Sequence, residues 1–245
     1  MSDRLQPFAR AKTIFVAGMV LVAALVGAAF SSAARVAPPN IARSLAQTYF
    51  TSTFTRAEVL TAVGRVVHDF RIDEGRVIAV RPAAIDLLER DGTRETIAIN
   101  GQTQMPGGRL TGVALGLRGS RVVTLTDNGG AAAIVRPSST ARALGKALFG
   151  PTLVRAEIVT FGGKVQDVQI DQGKITAVRP GSMTLLERDG TRPAIPVAPT
   201  AVVSENGAIV DTSFIVKGLS AIAVRVDSAP AQQVFLAQTV LGFGR

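Results

Sequence analysis

The residues best suited to chemistry in this chain are two glutamates that share one local context. Glu58 and Glu157 each end the tripeptide Arg-Ala-Glu, close to the start of an apolar, β-branched segment. Two carboxyl groups about 5–9 Å apart in an apolar pocket can hydrolyse a glycosidic bond. The same tripeptide at a strand start also suits a cross-strand ion pair. We favour the structural interpretation and keep a carboxylate-dependent hydrolase of cell-envelope polymer as an alternative.

The other candidates are one histidine and two groups of acids. His68 has an acidic neighbour, but no Gly-x-Ser-x-Gly motif accompanies it. With one histidine and no cysteine, a zinc site built from three or four such ligands is excluded. A calcium site made of carboxylates alone stays open, although the spacing lacks the EF-hand pattern. We interpret the acids as turn and surface residues: Asp69, Asp73, Glu74, Asp167 and Asp171. No catalytic, cofactor-binding or metal site is therefore predicted.

Composition limits the classes of partner. The formal net charge is +9, and the basic residues are scattered singly rather than clustered. Binding of single-stranded nucleic acid needs a basic groove with exposed aromatic side chains. The chain has no tryptophan, one tyrosine and 11 phenylalanines. A small-barrel protein that binds single-stranded nucleic acid is therefore an alternative and not the first choice.

The N-terminus has the pattern of a membrane segment. Basic residues occur within 1–12, and residues 13–30 form a run of 18 without a charge. Such a helix would be about 27 Å long, close to the thickness of the hydrocarbon core. The basic flank predicts a cytoplasmic N-terminus and an extracytoplasmic remainder. We expect a transmembrane anchor over 13–34 that contacts the lipid bilayer through 13–30. The alternative is a signal peptide cleaved near Ala34.

The octapeptide LLERDGTR occurs at 87–94 and again at 185–192. Aligning the two copies brings about 99 residues into register, as two units over 41–137 and 138–236. A long period in two copies predicts a tandem duplication and not a solenoid. Residues 35–40 would form a linker and residues 237–245 a C-terminal tail.

Each unit begins with a helical pattern and continues as strands. Ser138 or Ser139 can cap the second helix, which Gly150-Pro151 would end. Asp91-Gly92 and Asp189-Gly190 predict hairpins, and Ile-Asp-x-Gly predicts another turn in each unit. The prolines at 193 and 196 predict an edge strand in the second unit. The fold class is mainly β with short helices, as two small antiparallel β-barrel-like repeats each preceded by a helix.

The turns and strands of each unit resemble a bacterial domain-of-unknown-function family of small β-barrel repeats. The resemblance lies in Gly75–Val77 and Gly173–Ile175, in the two Asp-Gly turns, and in the strands that follow Gly119 and Gly218. It implies the β-barrel fold and an exported or membrane-anchored location. It implies no catalytic residue and no cofactor.

We therefore expect a membrane-anchored, extracytoplasmic structural or interaction module that is not an enzyme. Its partners would be the lipid bilayer and an envelope protein or polymer. Nucleic acid is the less favoured partner, and the oligomeric state is left open.

Overall fold

The computed structural model describes residues 39–101, 103–104, 115–135 and 140–237. The predicted anchor at 13–34, its cleavage position and the final residues 238–245 lie outside this part. Within it, no helix combines the length and the apolar character that crossing a bilayer requires. Helix α1 already begins at Pro39, so the predicted linker over 35–40 extends too far by two residues.

The described chain is mainly β, as predicted. Two α-helices are formed by Pro39–Tyr49 (α1) and Thr140–Leu148 (α2). The first six strands are Phe54–Val63 (β1), Val66–Arg81 (β2), Ala84–Glu89 (β3), Arg94–Ala98 (β4), Arg121–Asp127 (β5) and Gly130–Val135 (β6). The other seven are Leu153–Phe161 (β7), Val165–Arg179 (β8), Ser182–Leu186 (β9), Ala194–Glu205 (β10), Ala208–Val210 (β11), Ser220–Val226 (β12) and Ala231–Ala237 (β13).

The long strands β2 and β8 correct one prediction. The sequence Ile-Asp-x-Gly does not turn the chain, because it lies inside these strands. Neither Gly75 nor Gly173 has a positive φ. A Cβ on Gly75 would stand 3.0 Å from the Leu88 carbonyl oxygen, and one on Gly173 would stand 2.6 Å from that of Leu186. These glycines are needed where the next strand crosses closely, and not for a turn.

Five strands in the second half of the chain pair into a closed ring, here called the second ring. Strand β8 pairs with β9 and β12, β9 with β10, β10 with β13, and β13 with β12. All of these pairs are antiparallel except β10–β13, which is parallel. Strand direction cannot alternate around a ring with an odd number of members. The sequence pattern suggested a wholly antiparallel barrel. A closed ring of five strands cannot be wholly antiparallel, so this part of the prediction is wrong.

The first half follows the same order. Strand β2 pairs with β3 and β5, β3 with β4, and β5 with β6. A single parallel bridge between Gln104 and Ala133 connects the chain after β4 to β6. We call these strands, with that bridge, the first ring.

The two halves are joined through their first strands. Strands β1 and β7 pair antiparallel, and each is also paired with the long strand that follows it. A cluster of buried side chains from both halves lies beneath this joint, including Phe54, Val59, Ile158 and Ile170. Each ring has a further core of its own. Three cores thus stabilise one continuous body.

The two helices cover the shared core. Leu45 and Leu148 are buried there. The rings of Phe50 and Phe149 meet edge to face with centroids 5.6 Å apart. Gly145 allows this contact, since a Cβ there would lie 2.5 Å from the Phe50 ring.

Both Asp-Gly hairpins are confirmed. Gly92 and Gly190 each have φ +88°, which a glycine adopts without a steric cost. The edge-strand prediction holds only beside the prolines, where 194–196 pair with β9 alone; from Val197 on, β10 pairs with β13 and is not an edge. The N–H of Val197 points to the β9 side, where it bonds the Gly181 carbonyl at 2.8 Å. The missing N–H of Pro196 therefore faces the β13 side, where pairing starts only at Val197.

Candidate functional site

The two glutamates singled out from the sequence meet where the two halves of the chain join. Glu58 and Glu157 are direct cross-strand partners in the β1–β7 pair. Both side chains are exposed on the open face of this sheet. Partial burial raises the pKa of Glu157, and the nearby charges of Asp167 and Glu58 add to the rise. Within the described chain, neither glutamate forms an ion pair. The predicted ion pair at Glu58 and Glu157 is therefore absent there.

The arginine of each Arg-Ala-Glu binds the repeated octapeptide instead. Arg56 Nη1 lies 2.6 Å from Glu89 Oε2 and 2.7 Å from Asp91 Oδ2. The Thr93 N–H donates to Asp91 Oδ1 at 3.0 Å, which fixes the turn around that carboxylate. The repeated octapeptide thus supplies the acids of an ion-pair network that attaches the β3–β4 hairpin to β1.

The second half builds the same network from the corresponding residues. Arg155 lies 2.9 Å from Glu187 Oε2 and 3.1 Å from Asp189 Oδ2. The Thr191 hydroxyl donates to Glu187 Oε2 at 2.7 Å. We call the two networks the octapeptide clusters.

A third acid, beside each octapeptide cluster, is neutralised by an arginine that comes from a different strand in the two halves. Asp73 is fully buried and bonds Arg71 Nε, on its own strand, at 3.0 Å. Asp171 bonds Arg225 Nη2, on the neighbouring strand β12, at 2.8 Å. Arg71 faces Thr126 across β2–β5, whereas Gln169 faces Arg225 across β8–β12. The arginine has changed strands between the two halves while its charge stays beside the same buried acid.

The buried glutamates of the clusters have strongly shifted acidity. Burial raises the pKa of Glu89 to about 7, and the charges of Asp73 and Asp91 add to this. Burial raises the pKa of Glu187 to about 6. One carboxyl oxygen of each glutamate is buried without a hydrogen-bond donor. A proton on that oxygen removes the buried charge and so avoids the cost of burying it. The protonated carboxyl of Glu89 can then donate a hydrogen bond to Asp73.

The interpretation of the acidic groups as turn and surface residues is wrong for three of them. Asp73, Glu74 and Asp171 are buried inside strands. The partners of Glu74 and Asp171 are distant in sequence. Arg71 lies only two residues from Asp73, but that spacing does not reveal that the acid is buried. Asp69 and Asp167 are half-buried. The described part of the chain contains no group of three acidic or histidine side chains that could hold a metal ion.

His68 is part of a polar contact at the end of the first ring. Its Nδ1 lies 3.1 Å from Asp127 Oδ2, and its ring stacks on Phe70 with centroids 5.7 Å apart. The carboxylate orients the imidazole. Of the groups that a triad needs, this contact supplies the histidine and the acid.

The chain was compared with models of protein families, with curated proteins and with solved structures, and none of the three comparisons found a match. A function must therefore be argued from the geometry described above.

Proposed function

We propose that the chain is an anchored extracytoplasmic interaction module, made of two tandem copies of one small barrel and without a catalytic role. The observation that carries the proposal is the β1–β7 joint with its shared core, which holds two rings on one body. A body of this kind presents two surfaces at a fixed separation, which suits simultaneous contact with an extended or repeated partner. The apolar run at 13–30 and the resemblance to exported β-barrel repeats favour the extracytoplasmic side.

The acids also support a structural role. The acids of the octapeptide clusters are committed to arginines inside the fold. Glu58 and Glu157 lie on an open sheet face, where water weakens the electrostatic control that general acid catalysis needs.

The test of this proposal is the intact mass and the location of the native protein. We expect the full-length mass in the membrane fraction, with residues 39–237 accessible to protease only from the extracytoplasmic side. Changing Leu21 and Leu25 to Arg should release the protein from the membrane, because two charges in a short apolar run oppose insertion. The same positions changed to Ala serve as the control and should stay in the membrane. A full-length protein in the cytosol would overturn the proposal, and a mass beginning near Arg35 would replace the anchor by a signal peptide.

Nucleic acid binding has one observation in its favour. The closed five-stranded order with one parallel pair agrees with the five-stranded Greek-key barrel of OB-folds, which often bind oligonucleotides. Fluorescence anisotropy with a labelled oligothymidine would show saturable, salt-sensitive binding in that case. Binding that is no stronger than that of a lysine-rich control protein would exclude it.

The hydrolase alternative also has one observation, the direct opposition of Glu58 and Glu157. If it holds, the double variant Glu58→Gln, Glu157→Gln should lose all turnover of envelope polymer. Equal turnover by the variant and the natural chain would assign the activity elsewhere.

A further inference from the structure

An open cleft in the first ring is lined by three arginines. Its volume is about 360 Å³, and its walls are Arg76, Leu88, Glu89, Arg90, Arg121 and Phe161. Leu88 and Phe161 supply an apolar side, whereas the guanidinium groups supply a cationic one. This volume is at the lower end of the range for sites that hold small molecules.

Two of the arginines are placed against each other. Arg76 on β2 and Arg121 on β5 are direct cross-strand partners. Side chains at such positions have Cβ atoms about 5 Å apart, and like charges there destabilise a sheet. Both side chains are exposed to the cleft. The pair therefore has an energetic cost that an anion between the two guanidinium groups would remove.

The acids near the cleft do not neutralise it. Glu74 is shared, at 3.3 Å from Arg90 and 3.6 Å from Arg121. Glu89 is bound to Arg56, outside the cleft. Arg76 forms no ion pair with any described residue. Both carboxylates, Glu74 and Glu89, are thus committed to other arginines, and Arg76 leaves a surplus positive charge at the cleft.

The second ring provides an internal comparison. At the positions of Arg76 and Arg121 it has Lys174 and Ser220, which are likewise cross-strand partners. At the position of Glu74 it has Gln172. The ring closes with these residues, so the opposed arginines are not a requirement of the fold. The octapeptide clusters, in contrast, are the same in both halves.

We propose that this arginine cleft binds the phosphate group of a small organic molecule, with its apolar part against Leu88 and Phe161. Planar guanidinium groups bind phosphate oxygens in a two-point manner that the point charge of lysine cannot reproduce. A soluble phosphomonoester and a phospholipid headgroup share this chemistry. The proposed phosphate contacts come from arginines of the first ring and do not depend on the apolar run at 13–30, so this inference and the proposed function can fail independently.

The experiment uses the double variant Arg76→Lys, Arg121→Ser, which installs the residues that the second ring already has. Inorganic phosphate, glucose 6-phosphate and uncharged glucose are titrated into the natural chain and into the variant. We expect saturable binding of the two phosphates and none of glucose, with binding weakened roughly tenfold or more in the variant. Phosphate should also raise the melting temperature of the natural chain and leave that of the variant nearly unchanged.

Two controls exclude general effects of charge and folding. Arg65→Ser removes one exposed positive charge at the β1–β2 turn, as the double variant removes one from the cleft. It should leave phosphate binding unchanged. Without ligand, the double variant should melt close to the natural chain, because relief of the opposed arginines is offset by loss of the Arg121 contact with buried Glu74.

A vesicle arm separates the two sources of phosphate. Vesicles with phosphatidic acid are compared with vesicles of neutral phosphatidylcholine alone. Binding of glucose 6-phosphate assigns the cleft to a soluble ligand, whereas arginine-dependent binding of phosphatidic acid alone assigns it to a headgroup. The proposal is overturned if neither phosphate source binds, or if both the double variant and the Arg65 control bind like the natural chain.

Discussion

At the scale of single residues, the octapeptide clusters make stability depend on pH. Folding raises the pKa of Glu89 to about 7 from an ordinary value of about 4.3, so the folded state prefers its protonated form. The stabilisation from that preference is complete below the ordinary pKa and is lost as pH rises through the folded one. Folding raises the pKa of Glu187 to about 6, so its contribution to stability is lost as pH rises through that value.

We therefore expect the free energy of unfolding to decrease between pH 5 and pH 8. Glu89→Gln should remove the part of this decrease above about pH 6, because the amide cannot ionise. Glu187→Gln is the matched control and should remove only the part that ends near the pKa of about 6. Denaturant midpoints at four pH values measure both effects. An unchanged slope between pH 6 and pH 8 in the Glu89 variant would contradict the burial of that charge.

The charged residues show what a sequence can and cannot reveal. The identical Glu-Arg-Asp letters in both copies stand out, because nearby positions have diverged. Their partner could not be identified, since Arg56 is 33 residues from Glu89 and only folding brings them together. It is harder still to predict that Arg225 takes the place of Arg71 in the second half, because the charge then comes from another strand. Pairings across strands are set by the ring and not by local spacing.

At the scale of elements, glycine is where the sequence pattern was misread. A glycine beside an aspartate predicts a turn at Gly92 and at Gly190, and both turns form. The related pattern Asp-x-Gly at Gly75 and Gly173 instead marks close contact between strands. Positive φ and lack of a Cβ are different uses of one residue, and the sequence does not distinguish them.

Gly173→Ala should therefore destabilise the second ring although alanine suits a strand better than glycine. The new Cβ would meet the backbone oxygen of Leu186, which cannot move away like a side-chain tip. We expect a loss of about 1–3 kcal/mol. Gly75→Ala, with a longer contact of 3.0 Å, should cost less. Gly162→Ala is the control, since its nearest atom is 3.6 Å away. Thermal or denaturant unfolding gives the order of stability of the three variants. Equal stability of all three would refute the explanation that Gly75 and Gly173 are needed where the next strand crosses closely.

At the scale of the whole molecule, the two halves of the chain form one body and not two independent domains. The sequence indicated the period, the mainly β class and the helices, because these depend on local patterns. It did not indicate the β1–β7 pair or the shared core, which depend on how one half meets the other. The pairing has approximate two-fold symmetry, since Arg56 faces Val159 and Leu60 faces Arg155, at equivalent positions of the two units.

This symmetry changes what an isolated unit should do. The fragment 138–245 would expose the edge of β7 and its part of the shared core, so a stable monomer is not expected. Pairing β7 with β7 of a second fragment would place Ala156 opposite Ile158, which repeats the contact of Ala57 with Ile158 in the full chain. We therefore expect a homodimer, which sedimentation or light scattering would detect. Its melting temperature should rise with concentration, whereas that of the fragment 39–245 should not. A fragment 138–245 that unfolds cooperatively as a monomer at every concentration would show instead that the core of the second ring suffices, and that the joint adds position but no necessary stability.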